Sequence, residues 1–297
     1  MGFVAKVLLQ HSALLWAFPE AGDAGNVPPE QKGDPAMAAF LALLAFLQTA
    51  GVHVERVSVP GPNGVNLDAA LVLPEGQASA PPIVALHGCG GPFPSRDGQW
   101  AVLLAKAGHI VLLPDSFGSR GLGSQCAMKE REVTPAGLRR EDAIDAAQWL
   151  AARPGTPPGG VALIGWSNGG STVLETARVA AGLPTDLFRR FAAFYPGCPS
   201  ANEDPSWKPS APMLILMGED DDWTPASPCR DLAARFPDEI SFVAYPGAYH
   251  DFDAPNRPVR VRTGAVSTPS GLAHVGTNEP ARQDALERLP KWLEEAR

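Results

Sequence analysis

Basic residues are in short supply in this chain. Lys and Arg number 24 against 32 Asp and Glu, a formal net charge of −8 at pH 7, and no basic run interrupts that balance. Such a chain offers no electrostatic footprint for nucleic acid or for an anionic membrane surface. Internal repeats are missing, and so are Cys-x-x-Cys, His-Glu-x-x-His and the phosphate-cradling Gly-x-x-x-x-Gly-Lys. No metal and no cofactor is therefore expected. Long apolar stretches are equally scarce. The cleanest, residues 36–50, has the length of a signal-peptide core rather than of a bilayer span.

That stretch leaves two readings of residues 1–52. In one, translation starts at Met37 and an export signal ends near Ala50-Gly51, giving a periplasmic or secreted protein. In the other, the segment is an amphipathic leader helix of a cytoplasmic protein. Residues 53–297 are expected to form one domain, because 297 residues, 45% of them hydrophobic, can bury a large core.

Glycine and proline, 30 and 31 of them, fall between patterned segments and read as loops. Residues 53–59 alternate through Val54, Val57 and Val59, and residues 66–73 through Leu67, Ala69, Leu71 and Leu73. With Pro60-Gly61-Pro62-Asn63-Gly64 between them, they form a hairpin. Residues 83–86 are wholly apolar, as a parallel strand covered on both faces would be, and run into His87-Gly88-Cys89-Gly90-Gly91. Beyond them, helical periods over 100–107, 139–152, 170–181, 230–236 and 284–295 alternate with strands over 109–113, 161–164, 191–195, 213–217 and 240–245. The alternation predicts a mostly parallel, doubly wound α/β sheet with helices on both faces and ligands at the carboxyl ends of its strands. Residues 253–279 show no period and read as a long ordered loop or lid.

One stretch carries chemistry. The strand at residues 161–164 breaks into Gly165-Trp166-Ser167-Asn168-Gly169, and a helix follows at once. This is the pattern of the nucleophile elbow of an α/β-hydrolase, in which a strained turn lifts a serine hydroxyl above the sheet. Side chains two before and two after the serine would block such a turn, and Gly165 and Gly169 have none. A serine hydroxyl also needs an imidazole to take its proton and an acid to hold that imidazole. In the hydrolase chain order the acid follows the 213–217 strand. Asp221 is chosen for its spacing from Gly218 and Pro225, with Asp220 and Asp222 open as alternatives, and Trp223 beside it is taken as a substrate-binding residue. His250, after the 240–245 strand, is the expected base and His274 its rival; His87 reads as a brace for its loop. The oxyanion donors would be the backbone N–H of Asn168 and that of Cys89, or else of Gly90.

Taken with Asp115-Ser116-Phe117-Gly118-Ser119-Arg120-Gly121, these motifs resemble the dienelactone hydrolase family of α/β-hydrolases. The resemblance runs from about His53 to the C-terminus. It implies cleavage of a small-molecule carboxylic ester or lactone. The family's namesakes carry cysteine where this chain has Ser167, which moves the expectation toward serine ester hydrolysis. A prolyl-oligopeptidase-like peptidase and a non-catalytic binding protein on the same fold are the rival readings. Arg120 lies past a strand end on the serine's edge. It is expected either to clamp a substrate carboxylate or to pair with an acid such as Asp115 and shape its loop. The four cysteines would pair in an exported chain as Cys89–Cys126 and Cys198–Cys229, each joining neighbouring strand ends; in the cytoplasm they would be free thiols.

Overall fold

A computed structural model describes residues 51–178 and 186–294. All but Gly51 and Val52 of the expected leader, including the Met37 start, lies outside the described residues.

Eight strands make the central sheet: β1 (His53–Pro60), β2 (Asn66–Leu73), β3 (Ile83–Leu86), β4 (Val111–Pro114), β5 (Val161–Trp166), β6 (Phe188–Phe194), β7 (Met213–Gly218) and β8 (Ile240–Tyr245). Their order is β1-β2-β4-β3-β5-β6-β7-β8. The first two strands form the expected hairpin, Val57 opposite Ala69, and β2 runs antiparallel to β4. Every other pairing is parallel. Central strands β5 and β7 are buried along their whole length. That is why they read as continuous apolar runs while β1, at the edge, alternates.

Among the described residues, six helices pack around this sheet: α1 (Pro94–Lys106), α2 (Leu138–Ala152), α3 (Asn168–Ala177), α4 (Pro199–Glu203), α5 (Ala226–Arg235) and α6 (Glu279–Glu294). Helix α1 begins before the first apolar-periodic residue. Proline at its first position is preorganised for a helix, and Asp97 accepts the Phe93 N–H at 2.7 Å. Periodicity registers neither effect.

The stretch expected to lack regular structure contains a second, two-stranded sheet of β9 (Arg260–Thr263) and β10 (Leu272–Val275). In β9 the charged Arg260 and Arg262 alternate with the exposed Val261, so the usual apolar-inward pattern is absent. In β10 the inward residues are Ala273 and Val275, which form a small core with Trp223, Ala265 and the Cys89–Cys126 disulfide. Cys198 is bonded to Cys229. Each disulfide closes a loop, with sequence separations of 37 and 31, and restricts the unfolded chain by about 4 kcal/mol on the loop-entropy model.

The elbow fixes where the site lies. Ser167 adopts φ 54° and ψ −117°, a turn sharp enough to lay α3 against the end of β5. A Cβ on Gly165 would stand 2.5 Å from the Gly169 carbonyl carbon, and one on Gly169 would stand 2.3 Å from the Leu86 oxygen. Both contacts are with backbone, which cannot swing aside. We expect Gly169→Ala to destabilise the protein by about 1–3 kcal/mol in urea unfolding, as overpacking does. Gly123→Ala, where the added methyl meets nothing within 4 Å, should leave the midpoint unchanged.

Candidate active site

Three loops at the carboxyl edge of the sheet bring Ser167, Asp221 and His250 together. His250 Nε2 lies 2.9 Å from Ser167 Oγ, and its Nδ1 lies 2.8 Å from Asp221 Oδ2. The exposures are 9% for Ser167, 4% for Asp221 and 1% for His250, so the hydrogen bonds are made in a largely dry environment. The close approach of the acid and base loops depends on Gly218 at the end of β7. A Cβ there would stand 2.3 Å from the Ala248 oxygen, two residues before the imidazole.

Asp221 is fully engaged. Its Oδ1 accepts the backbone N–H groups of Trp223 and Thr224, both at 2.9 Å. Its Oδ2 lies 3.0 Å from the Thr224 hydroxyl, which is also 3.0 Å from the Tyr195 carbonyl oxygen. The neighbouring acid takes another partner: both oxygens of Asp222 bind His274, one through its backbone N–H and one through Nδ1, each at 2.7 Å. This contact with Asp222 pins β10 to the loop that carries Asp221.

His250 sits between two aromatic rings, Tyr195 with its centroid at 4.5 Å and Trp223 at 4.8 Å. Trp223 is itself covered by the Arg262 guanidinium, 5.2 Å from its ring centroid, and donates its indole N–H to Ser267 Oγ at 3.1 Å. No motif in the sequence marks Tyr195, Thr224 or Arg262. Thr224 could have been found, since a threonine three residues after an acid is placed to cap its turn.

A further residue that the sequence patterns do not mark is Asp253, which is 1% exposed. Its Oδ2 accepts the indole N–H of Trp100 and of Trp166, both at 2.8 Å, and its Oδ1 accepts the Tyr195 hydroxyl at 2.6 Å. One carboxylate thus holds the residue preceding the serine and the ring beside the base. Burial raises its pKa, and the nearby Arg96 guanidinium offsets part of that effect. Buried indoles seek an acceptor, so two such tryptophans were the available signal.

Arg120 is paired with an acid side chain. Its guanidinium forms a two-pronged pair with Asp142, at 2.9 and 2.7 Å, and donates also to the Ser116 carbonyl oxygen at 2.7 Å. The fork is engaged on helix α2. Of the two expectations for Arg120, these contacts match pairing with an acid, and the acid is Asp142. Among the described residues no group of three or more His, Cys, Asp or Glu side chains is placed to hold a metal ion.

Burial opposes a charge on His250, but the Asp221 carboxylate and its hydrogen bond outweigh it and raise the pKa above the ordinary 6.5. Protons should therefore bind as the pH falls through a midpoint above 6.5, observable in the imidazole resonances by NMR titration. Asp221→Asn removes the raising influence and leaves burial, so its midpoint should fall below that of the wild type. An unmoved midpoint would contradict this electrostatic account.

The comparisons with known proteins agree with this architecture. No curated protein matches the chain. Among solved structures, a dienelactone hydrolase from Anabaena variabilis is 21% identical, with a TM-score of 0.59, covering 82% of this chain and 97% of its own. A hyperthermophilic esterase from Pyrobaculum calidifontis is 18% identical at TM-score 0.57, covering 87% and 91%. A puromycin-hydrolysing peptidase of Mycobacterium tuberculosis is 20% identical at TM-score 0.57, but the match takes in 82% of this chain and only 39% of that one. At such identities these likenesses concern the fold. The family model for the dienelactone hydrolases matches residues 67–297, most of the chain and all of the loops described above, and the protein is a hydrolase belonging to the dienelactone hydrolase family.

Proposed function

We propose that the protein is a serine hydrolase of small carboxylic esters or lactones that works through an acyl-enzyme and needs no cofactor. The observation that carries this reading is the continuous chain Ser167 Oγ, His250 Nε2, His250 Nδ1, Asp221 Oδ2, with both links within 3 Å. Neutral His250 accepts the hydroxyl proton as Ser167 Oγ bonds to the substrate carbonyl carbon. The carbonyl oxygen becomes an oxyanion, and the Cys89 and Asn168 N–H groups donate to it. The tetrahedral adduct collapses as His250 returns its proton to the leaving alkoxide, which in a lactone stays tethered to the acyl group. Water then enters, gives a proton to His250 and attacks the acyl carbon on Ser167; the second tetrahedral adduct collapses as its bond to Ser167 Oγ breaks and His250 returns that proton to the serine oxygen, releasing the carboxylic acid. Asp221 keeps Nε2 facing the serine and stabilises the imidazolium formed twice in each cycle. Trp223, packed on the base, is the side chain we place beside the bound acyl or alcohol group.

We further propose that the domain comprises residues 53–297 and that the mature protein is exported. Two disulfides are the support for export, since such bonds persist outside the reducing cytoplasm. N-terminal sequencing of the native protein tests this: a mature N-terminus near Gly51 is expected, and one at Met1 contradicts it.

The catalytic proposal is tested with a fluorophosphonate probe and a panel of p-nitrophenyl esters, lactones and aminoacyl amides. The wild type should be labelled on Ser167 and should turn over esters or lactones. Ser167→Ala should fold normally, escape labelling and lose activity by roughly 10⁴ to 10⁶. Turnover confined to the amides would favour a peptidase. A folded wild type that neither labels nor turns over any of the panel would favour a binding protein.

A further inference from the structure

Arg139, in the first turn of α2, is fully buried at 0% exposure. A guanidinium in such a place must have partners that justify its desolvation. Arg139 has two, on different segments. Its Nη1 donates to the side-chain oxygen of Asn168 at 2.5 Å, and its Nη2 donates to the His87 carbonyl oxygen at 2.8 Å. The ring of Phe117 lies against it, 5.0 Å from centroid to Cζ. Burial lowers its pKa to about 10, with Asp142 and Asp115 acting in the opposite sense, so it stays cationic at neutral pH.

Those two acceptors sit on the two segments that carry the oxyanion donors. Asn168 supplies one N–H itself, as the first residue of α3, where backbone N–H groups have no intrahelical partner. The Cys89 N–H is two residues beyond His87. Its direction is set stepwise: His87 Nδ1 donates to the Gly88 carbonyl oxygen at 2.7 Å, and in a trans peptide the Cys89 N–H points the opposite way. The Ser116 N–H points at His87 Nε2 at 3.2 Å, which leaves the imidazole proton on Nδ1. The next carbonyl, of Cys89, accepts the Gln125 N–H at 2.8 Å. Among the described residues neither the Cys89 N–H nor the Asn168 N–H is given to a protein acceptor.

We infer that Arg139 is a positioning residue for the oxyanion hole, tying the His87–Cys89 loop to the elbow and fixing the spacing and direction of its two donors. It touches no reacting atom and acts through the His87 carbonyl and the Asn168 side chain. The inference rests on the ester-hydrolase reading.

The test compares Arg139→Met and Arg139→Lys with the wild type on p-nitrophenyl acetate, with phenylboronic acid as a probe that forms a tetrahedral adduct on serine. In folded Arg139→Met, kcat and kcat/KM should both fall roughly 10- to 100-fold, less than the loss of a whole donor. The boronic acid Ki should rise by a similar factor, while the midpoint of the acid limb of the pH profile stays in place, because Asp221 and His250 are untouched. Lysine keeps the charge but reaches one acceptor, so Arg139→Lys should recover part of the loss. Wild-type kinetics in a folded variant, or a rate loss with unchanged boronate affinity, would overturn the inference. Should neither variant fold, Asn168→Ala removes the elbow acceptor while keeping the backbone N–H. It should lower both rate and boronate affinity several-fold, and wild-type values there would overturn the inference equally. A wild type inert to both ester and boronate refutes the ester reading itself, before any variant enters the comparison.

Discussion

A strand can hand over to a helix within one residue only if the two backbones come into contact. At Ser167 that contact is made by Gly165, Gly169 and the carbonyls at the end of β3, with no space for a methyl group among them. The positive φ of Ser167 follows from the sharpness of the turn. From this one constraint the site's layout is derived. The serine stands above the sheet edge, α3 points its unpaired N–H groups toward it, and the loop after β3 is brought alongside. Parallel neighbours β6, β7 and β8 then end at the same edge, so the loops after β7 and β8 bring Asp221 and His250 to the same place.

Around that layout the chain has assembled buried polar networks whose acceptors are shared between elements. Asp253 collects donors from α1, β5 and the end of β6. Asp221 is filled by the turn that follows it as well as by His250. Buried charges are costly when a partner is missing. These networks therefore fix the directions of the side chains that share them. The β9–β10 hairpin closes the arrangement, held by Asp222 and His274 on one side and by packing on Trp223 and the Cys89–Cys126 disulfide on the other.

Much of this was legible because it obeys simple periods and chain order. The buried strands announce themselves as apolar runs, the elbow by its glycines, and His250 and Asp221 by following β8 and β7. Spacing alone singles out Asp221 from its neighbours, and in the structure its Oδ2 lies 2.8 Å from His250 Nδ1. What escaped was whatever depended on partners distant in sequence. Arg120 was placed correctly on the serine's edge, yet its orientation is decided by Asp142, one helix away. Asp253 looked like part of an irregular loop because its significance lies in Trp100 and Trp166. The β9–β10 hairpin has its inward side covered by a disulfide and a tryptophan from other loops, so its own sequence carries little hydrophobic signal.

The central claim is that Ser167 forms a bond to the acyl group. Its most direct test is rapid acid quenching of the wild-type enzyme during the first turnovers of p-nitrophenyl butyrate, followed by peptide mapping by mass spectrometry. The account predicts a butyryl group on the peptide that contains Ser167, appearing in step with the first equivalent of p-nitrophenol. Turnover with no covalent intermediate, or with the acyl group on another residue, would contradict it.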